Sequence, residues 1–293
     1  MTSLKERFQN PEASTKLSFV ANIVLLILKI FGGFWGGSRA LIADSLNSLL
    51  DLVANSAVWV GLKLAKKPAD ADHQYGHGNA DVLAASFVAM VIMVTGIFIG
   101  FDSIHVIIDH DYKAPSYFAT AVAGFTIILK QWLFVYTKKI GLKFKSPAVL
   151  ANAQDHKSDV YASAGALLGI FFAQTGYPIL DPIGGLWVAF FIMRNAVNLI
   201  RDNIHKLMSG APSKEFLEKV IESISRIGEV RGVSGVKIRT LGAKLFVDLE
   251  ITVDENLTVK EGHVIAHRVR DLLLGEFDDI IEVMVHIEPS LEK

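Results

Sequence analysis

The chain has 293 residues, 51% of them hydrophobic, no cysteine and a formal net charge of −1. That charge gives no electrostatic case for a nucleic-acid partner, and none is expected; the missing cysteines exclude disulfides and thiolate metal sites and leave the redox compartment open. With a mean hydropathy of +0.39, the chain is more apolar than a soluble domain of this size usually is, so a bilayer is the first expectation.

Met1 to Lys16 is polar and mixed in charge, without the basic-then-apolar layout of a cleaved signal peptide. Six apolar stretches follow, at roughly 17–36, 41–64, 81–108, 116–137, 148–175 and 179–200. Each reaches the roughly 20 residues that a spanning helix needs. The second and fifth are poor by plain hydropathy because they contain acids, and they are kept as spans because apolar residues run on around those acids. The connecting loops are biased in charge. Lys5, Arg7 and Lys16 precede span 1, Lys63, Lys66 and Lys67 follow span 2, Lys138, Lys139, Lys143 and Lys145 follow span 4, and Arg201 and Lys206 follow span 6. The opposite loops hold only Arg39 and Lys113. The positive-inside rule then places both termini in the cytoplasm, in a multi-pass protein of the cell (inner or plasma) membrane.

The remainder, from about Pro212, is charged and has the pattern of a small soluble domain, so the expected division is 1–208 and 209–293. Phe216, Leu217, Val220, Ile221 and Ile224 have helical spacing. Val236 and Ile238 indicate a strand, and Leu245 to Val253 alternates as a second. Val259 to Leu274 gives another helix, and Ile281 to Ile287 a last strand. The fold class is therefore a polytopic α-helical membrane protein with six transmembrane helices and a C-terminal α+β ferredoxin-like cytoplasmic domain.

Charged groups within a bilayer are costly and usually functional. Span 2 contains Asn47 and Asp51, and span 5 contains Asp155 and Asp159. Each pair is spaced i, i+4 and occupies one helix face. Two helices each offering such a pair are able to close a four-oxygen site between them, and three carboxylates there repel one another unless a cation or protons neutralise them. The plainer reading is polar glue between helices, or carboxylates capping buried lysines such as Lys157; glue does not require the same spacing twice. Asp44 is a weaker ligand candidate, for which a hydrogen-bonded structural role serves at least as well. Asp181, before Pro182, is most simply a cap at the start of span 6. Lys29, Asp102, Lys130 and Arg194 have the character of pairing or snorkelling residues. His156 adjoins Asp155 but points to another helix face, which favours a structural or supporting role.

At these residues the sequence resembles the cation diffusion facilitator family over nearly its whole length. The resemblance rests on the six spans, the two matched pairs, the cytoplasmic domain, and His73-Gln74-Tyr75-Gly76-His77-Gly78-Asn79-Ala80-Asp81 before span 3. It implies a homodimer in the lipid bilayer, a secondary active transporter rather than an enzyme, exporting a divalent metal against inward proton flow, with no bound cofactor. Zinc-carrying relatives usually have His or Asp at the position of Asn47 and His at that of Asp155; the set here looks like that of manganese-carrying relatives. The loop after span 4 also lacks the histidines common in zinc relatives. Donor chemistry agrees independently. An all-oxygen site withholds the imidazole that suits Zn²⁺, Cu²⁺ and Ni²⁺ and suits Mn²⁺, Mg²⁺ and Ca²⁺. The transported pair is thus expected to be Mn²⁺ and H⁺, with Fe²⁺, Zn²⁺ or Co²⁺ as the alternative metal.

The resemblance also implies a secondary metal site at Asp70, His73 and His77, with Asp72 nearby, against the alternative of a structured loop turned by Gly76 and Gly78. In the C-terminal domain it implies a further site at Glu250, His263, His286 and Glu288, with Asp248 and His267 close in sequence. There a solvated sheet face and a dimerisation role that needs no metal compete with metal binding. Two other classes fit the sequence less well. An intramembrane metallohydrolase would need a nitrogen-rich zinc motif, which is missing. A membrane-anchored metal sensor would not need six spans with paired carboxylates.

Overall fold

A computed structural model describes residues 11–144, 146–242 and 244–290, and at 11, 12, 58, 59, 147 and 148 the backbone alone. Lys5, Arg7 and Lys145, used above for orientation, lie outside the described residues. The chain divides into two compact units, Met1–Ser56 with Val88–Asn198 and Ala57–Phe87 with Leu199–Lys293. The second unit therefore takes in the loop between spans 2 and 3 and its flanking helix ends, which the expected division at 208/209 leaves with the membrane part.

The first unit is built from six long helices: α1 (Pro11–Gly36), α2 (Arg39–Ala65), α3 (Ala80–Ile108), α4 (Tyr117–Lys143), α5 (Pro147–Gln174) and α6 (Leu180–Leu207). Among the described residues, α1, α2, α3, α4 and α6 are long and apolar enough to cross a membrane. The fifth helix has the length, 28 residues, but Asp155, His156, Lys157 and Asp159 dilute its hydropathy. It packs along α4 and also touches α1, so part of its surface meets protein. Its start is set by Ser146, whose side chain accepts from the Val149 amide, and by proline at the first turn. Close helix approach follows from small residues. A Cβ on Gly169 would stand 3.0 Å from the Gly184 Cα, so α5 and α6 meet there backbone to backbone.

In the second unit α7 (Lys214–Ser225), β1 (Gly232–Leu241), β2 (Lys244–Val253), α8 (Val259–Glu276) and β3 (Ile280–Pro289) follow in the predicted order. The sheet order is β1-β2-β3, with β1 antiparallel and β3 parallel to β2. Leu245, Val247, Leu249, Ile251 and Val253 form the buried face of β2 and pack with Val220 and Ile224 of α7 and Ile265, Val269 and Leu273 of α8. The helices thus cover one face of the sheet. The other face carries Asp248, Glu250 and Thr252, in register with Met284, His286 and Glu288. Thr258 and Glu261 close a reciprocal capping box at the start of α8.

Candidate metal sites

The helix bundle of the first unit holds an unusual density of buried polar groups. Lys29 of α1 has no exposed surface, and its ammonium lies 2.8 Å from Asp44 Oδ2. It also donates to Ser48 Oγ at 3.0 Å, while Ser163 Oγ donates to Asp44 Oδ2 at 2.8 Å. Lys130 of α4, 1% exposed, donates to Asp159 Oδ2 at 2.6 Å and to Asn22 Oδ1 at 2.8 Å. Among the described residues the buried lysines are therefore Lys29 and Lys130. Lys157, the sequence-based candidate, is half-buried over the Tyr161 ring.

The four sequence-predicted transport residues are placed in different environments. Asn47 is buried, Asp51 and Asp159 are half-buried, and Asp155 is exposed. Asp51 interacts electrostatically with Asp159 and Asp155, and with Lys130 and Lys29. The carboxylates are thus brought into mutual electrostatic range, but three of them do not converge within the 4.8 Å that would let them share one ion at once. The sequence could not show that Lys130 takes one oxygen of Asp159, because the two are separated by 29 positions on different helices.

Three neighbouring assignments are resolved. Asp44 is held by Lys29 and Ser163, the contacts of its structural reading. His156 Nε2 lies 3.0 Å from Ser18 Oγ in a buried site, which places it against α1. Asp181 is corrected. Its carboxylate accepts from Ser38 Oγ and from the Arg39 backbone amide, each at 2.6 Å, so it caps the start of α2 across the bundle rather than the start of its own helix. Arg39 itself pairs with Asp102 at 3.3 Å.

The loop of the second unit is preassembled. Among the described residues, Asp70, His73 and His77 are the group of three histidine or acidic side chains whose ligand atoms all lie within 4.8 Å. Asp70 Oδ1 is 3.2 Å from His73 Nδ1, and Asp70 Oδ2 is 3.4 Å from His77 Nε2. His77 Nδ1 lies 3.2 Å from the Pro68 carbonyl, a contact that favours protonation at Nδ1 and leaves Nε2 facing Asp70. Lys67 also reaches Asp70, at 2.9 Å. Its hydrogen bond, ahead of that from the His73 amide, holds the Asp70 carboxyl well below the usual carboxylate range. Asp72 takes no part in the cluster. Gly76, with φ of +82°, makes the turn that sequence anticipated.

Sequence gave no sign that this loop rests on the β1–β2 hairpin. Asn79 Oδ1 accepts from the Gly242 amide at 2.9 Å. The Arg239 guanidinium lies over both the Tyr75 and Phe246 rings, at 5.2 and 5.3 Å. A Cβ on Gly242 would stand 2.1 Å from the Gly78 carbonyl oxygen, so only glycine permits this approach.

The third predicted group does not assemble within one chain. Glu250 and His286 are register partners on the outer sheet face. The Glu250 carboxylate leans the other way, over Gly235 of β1, and Glu288 accepts from Ser234 of β1 at 3.3 Å. His263 lies on α8, which covers the opposite face of the sheet. The family resemblance grouped all four, and a linear sequence does not say which face of the sheet a helix covers.

A long helical bundle with buried ionic groups, joined to a small α/β domain, defines a polytopic membrane transport protein. Residues 15–208 match the family model for the cation efflux transmembrane domain, and residues 212–290 that for the cation efflux protein cytoplasmic domain. The chain belongs to the cation efflux, or cation diffusion facilitator, family, and its activity class is divalent metal cation efflux across a membrane. Its relatives include the uncharacterized transporter YdbO of Bacillus subtilis, 33% identical over 97% of this chain and 98% of that one. The manganese efflux system protein MneP of the same organism is 31% identical over 98% of this chain and 99% of its own. The magnetosome protein MamB of Paramagnetospirillum magneticum is 30% identical over 93% of this chain and 92% of its own.

Proposed function

We propose that the chain exports Mn²⁺ from the cytoplasm in exchange for protons, with Asn47, Asp51, Asp155 and Asp159 as the transport site. The observation that carries this reading is the charge arithmetic of the bundle. Four carboxylates (Asp44, Asp51, Asp155 and Asp159) face two lysines, and Lys29 and Lys130 pair with Asp44 and Asp159. Asp51 and Asp155 remain without a lysine of their own, and one divalent cation balances the two charges they carry once ionised. All the donors are oxygens, which supports Mn²⁺ over Zn²⁺, Cu²⁺ or Ni²⁺. The manganese efflux activity named for MneP supports the same metal.

The steps follow from the groups. A cation entering from the cytoplasm draws Asp51 and Asp155 toward it, with Asn47 and the free oxygen of Asp159 completing an oxygen shell. The carboxylates release any shared proton as it binds. Rocking of the helices exposes the site to the other side, where reprotonation weakens the ligands and frees the ion. Both termini lie in the cytoplasm of a cell membrane in this reading. Residues 1–208 form the transport part, and residues 209–293 form the cytoplasmic part through which two copies associate as a homodimer. The secondary site at Asp70, His73 and His77 takes metal on the cytoplasmic side.

The test is uptake into proteoliposomes under a proton gradient, with Mn²⁺, Zn²⁺ and Fe²⁺ side by side. Mn²⁺ is expected to move fastest, with proton counterflow, and Asp51→Ala to reduce flux to that of empty vesicles. Wild-type flux in Asp51→Ala vesicles would overturn the site, and faster Zn²⁺ or Fe²⁺ flux would overturn the metal.

A further inference from the structure

The α1–α2 turn and the segment between α3 and α4 wall a cavity of about 350 Å³ that the transport reading does not use. An odd number of spans precedes each, so both lie at the same membrane face. Arg39 and Lys113, the two basic residues of the loops at that face, both line this one cavity. Its walls are fixed by hydrogen bonds. The Ser116 amide donates to the Gly36 carbonyl at 2.8 Å, and Asp181 accepts from Ser38 Oγ and the Arg39 amide. His110 Nδ1 lies 3.1 Å from the Tyr112 hydroxyl, which orients that ring on the wall. Phe34, also on the wall, and its neighbour Trp35 are each 73% exposed, the aromatic character of a bilayer interface.

Four charged side chains line the cavity, and two of them are already engaged. Asp181 is taken up by the start of α2, and Arg39 pairs with Asp102 through one terminal nitrogen at 3.3 Å, which leaves it further N–H donors. Lys113 and Asp111 have no side-chain partner among the described residues, and they do not pair with each other. One free cation and one free anion facing the same space complement a zwitterion. We propose that this cavity binds the headgroup of a phosphatidylethanolamine lipid, with its phosphate on Lys113 and Arg39 and its ammonium on Asp111. Both cations make charge-assisted hydrogen bonds to phosphate oxygens, and the ammonium offers the Asp111 carboxylate three N–H donors. A choline headgroup has no N–H to give Asp111. A glycerol headgroup brings the phosphate charge with no cation to meet Asp111. The volume suits a small ligand, and Phe34 and Ile42 supply an apolar border for the glycerol and the chains. A bound headgroup would bridge the α3–α4 segment to the start of α2, the helix that carries Asn47 and Asp51.

The experiment is native mass spectrometry of the full-length protein in detergent, titrated with phosphatidylethanolamine, phosphatidylcholine and phosphatidylglycerol of identical chains. Soluble glycerophosphoethanolamine serves as competitor. Wild type is expected to bind one phosphatidylethanolamine per chain, roughly tenfold more tightly than either other lipid. Lys113→Gln is expected to weaken phosphatidylethanolamine roughly tenfold, the loss of one charged hydrogen bond. Asp111→Asn is expected to bring it down to the affinity of phosphatidylcholine. Asp109→Asn, outside the cavity, is expected to change neither. The lipid ratio is read within each preparation, so a loss of folded protein does not mimic it. An unchanged preference in Asp111→Asn would overturn the proposal. Tighter binding of phosphatidylglycerol than of phosphatidylethanolamine would make the cavity an anion site instead. Displacement of the lipid by an equal concentration of glycerophosphoethanolamine would make it a site for a soluble ligand, and would overturn the lipid assignment.

Discussion

The bundle carboxylates and the loop cluster use similar side chains in opposite ways. Asp70, His73 and His77 converge without a metal ion because they are partly solvated, and the one carboxylate is held by a lysine, a backbone amide and the His73 imidazole. Asp51, Asp155 and Asp159 stay apart, and the cations near them are lysines rooted on other helices. In water a cluster of donors costs little to assemble. In a low-dielectric bundle the same cluster would be self-repelling. The loop therefore presents converged ligand atoms, whereas the transport site proposed for the bundle is one that an arriving ion would have to close. For a transporter that difference matters, since closure coupled to binding is what links metal to conformational change.

The sharpest way to break this contrast is to remove an internal cation. Lys29→Met leaves Asp44 buried and uncompensated, at an expected cost of about 3–5 kcal/mol. Thermal unfolding in detergent should show it, and Lys29→Met/Asp44→Asn should recover most of the loss. If the single change is harmless, the buried pair does not hold the bundle as described.

Exchanging one oxygen donor for nitrogen probes the bundle site itself. Asp155→His should raise the ratio of Zn²⁺ to Mn²⁺ transport by roughly tenfold. An unchanged ratio in competition uptake would remove Asp155 from the selectivity argument.

The loop should behave as a formed but separable site. His77→Gln is expected to weaken cytoplasmic-side metal binding by roughly 10–100-fold and leave saturated Mn²⁺ flux at the wild-type rate. Calorimetry and vesicle uptake on one preparation would check both halves. Flux that falls together with binding would merge the two regions into one pathway.

The smallest effect belongs to the cap of α8. Thr258→Ala should cost about 1 kcal/mol. The Thr258 hydroxyl, ahead of its backbone amide, holds the Glu261 carboxyl below its ordinary value of 4.5. A depressed folded-state value contributes stability above that pH and loses it as pH falls. Acid melts of Thr258→Ala should therefore show a shallower decline than wild type below about pH 5. A parallel decline would mean that the capping box does not couple to protonation.

Much of this protein was legible without coordinates. The six apolar stretches fall on the six long helices, overrunning them by at most one residue, because a bilayer-length run of apolar residues has few other solutions. The αββαβ order followed from periods of 3.6 and 2. The spacing of Asp70, His73 and His77 proved local enough for the loop to bring them together. Long-range partners were not legible. Lys29 with Asp44, Lys130 with Asp159 and Asp181 with the start of α2 join different helices, and hydropathy does not record which faces meet.

Sequence by itself determined the helices, the strands, the donor types and hence the oxygen character of the proposed path, since these depend on local period and side-chain chemistry. The tertiary structure alone decided which acids are neutralised, which sheet face His263 is cut off from, and that His-Gly-Asn rests on the β1–β2 hairpin. Those outcomes depend on packing between segments far apart in the chain, where a low dielectric makes pairing obligatory and a sheet separates residues that the family resemblance had grouped.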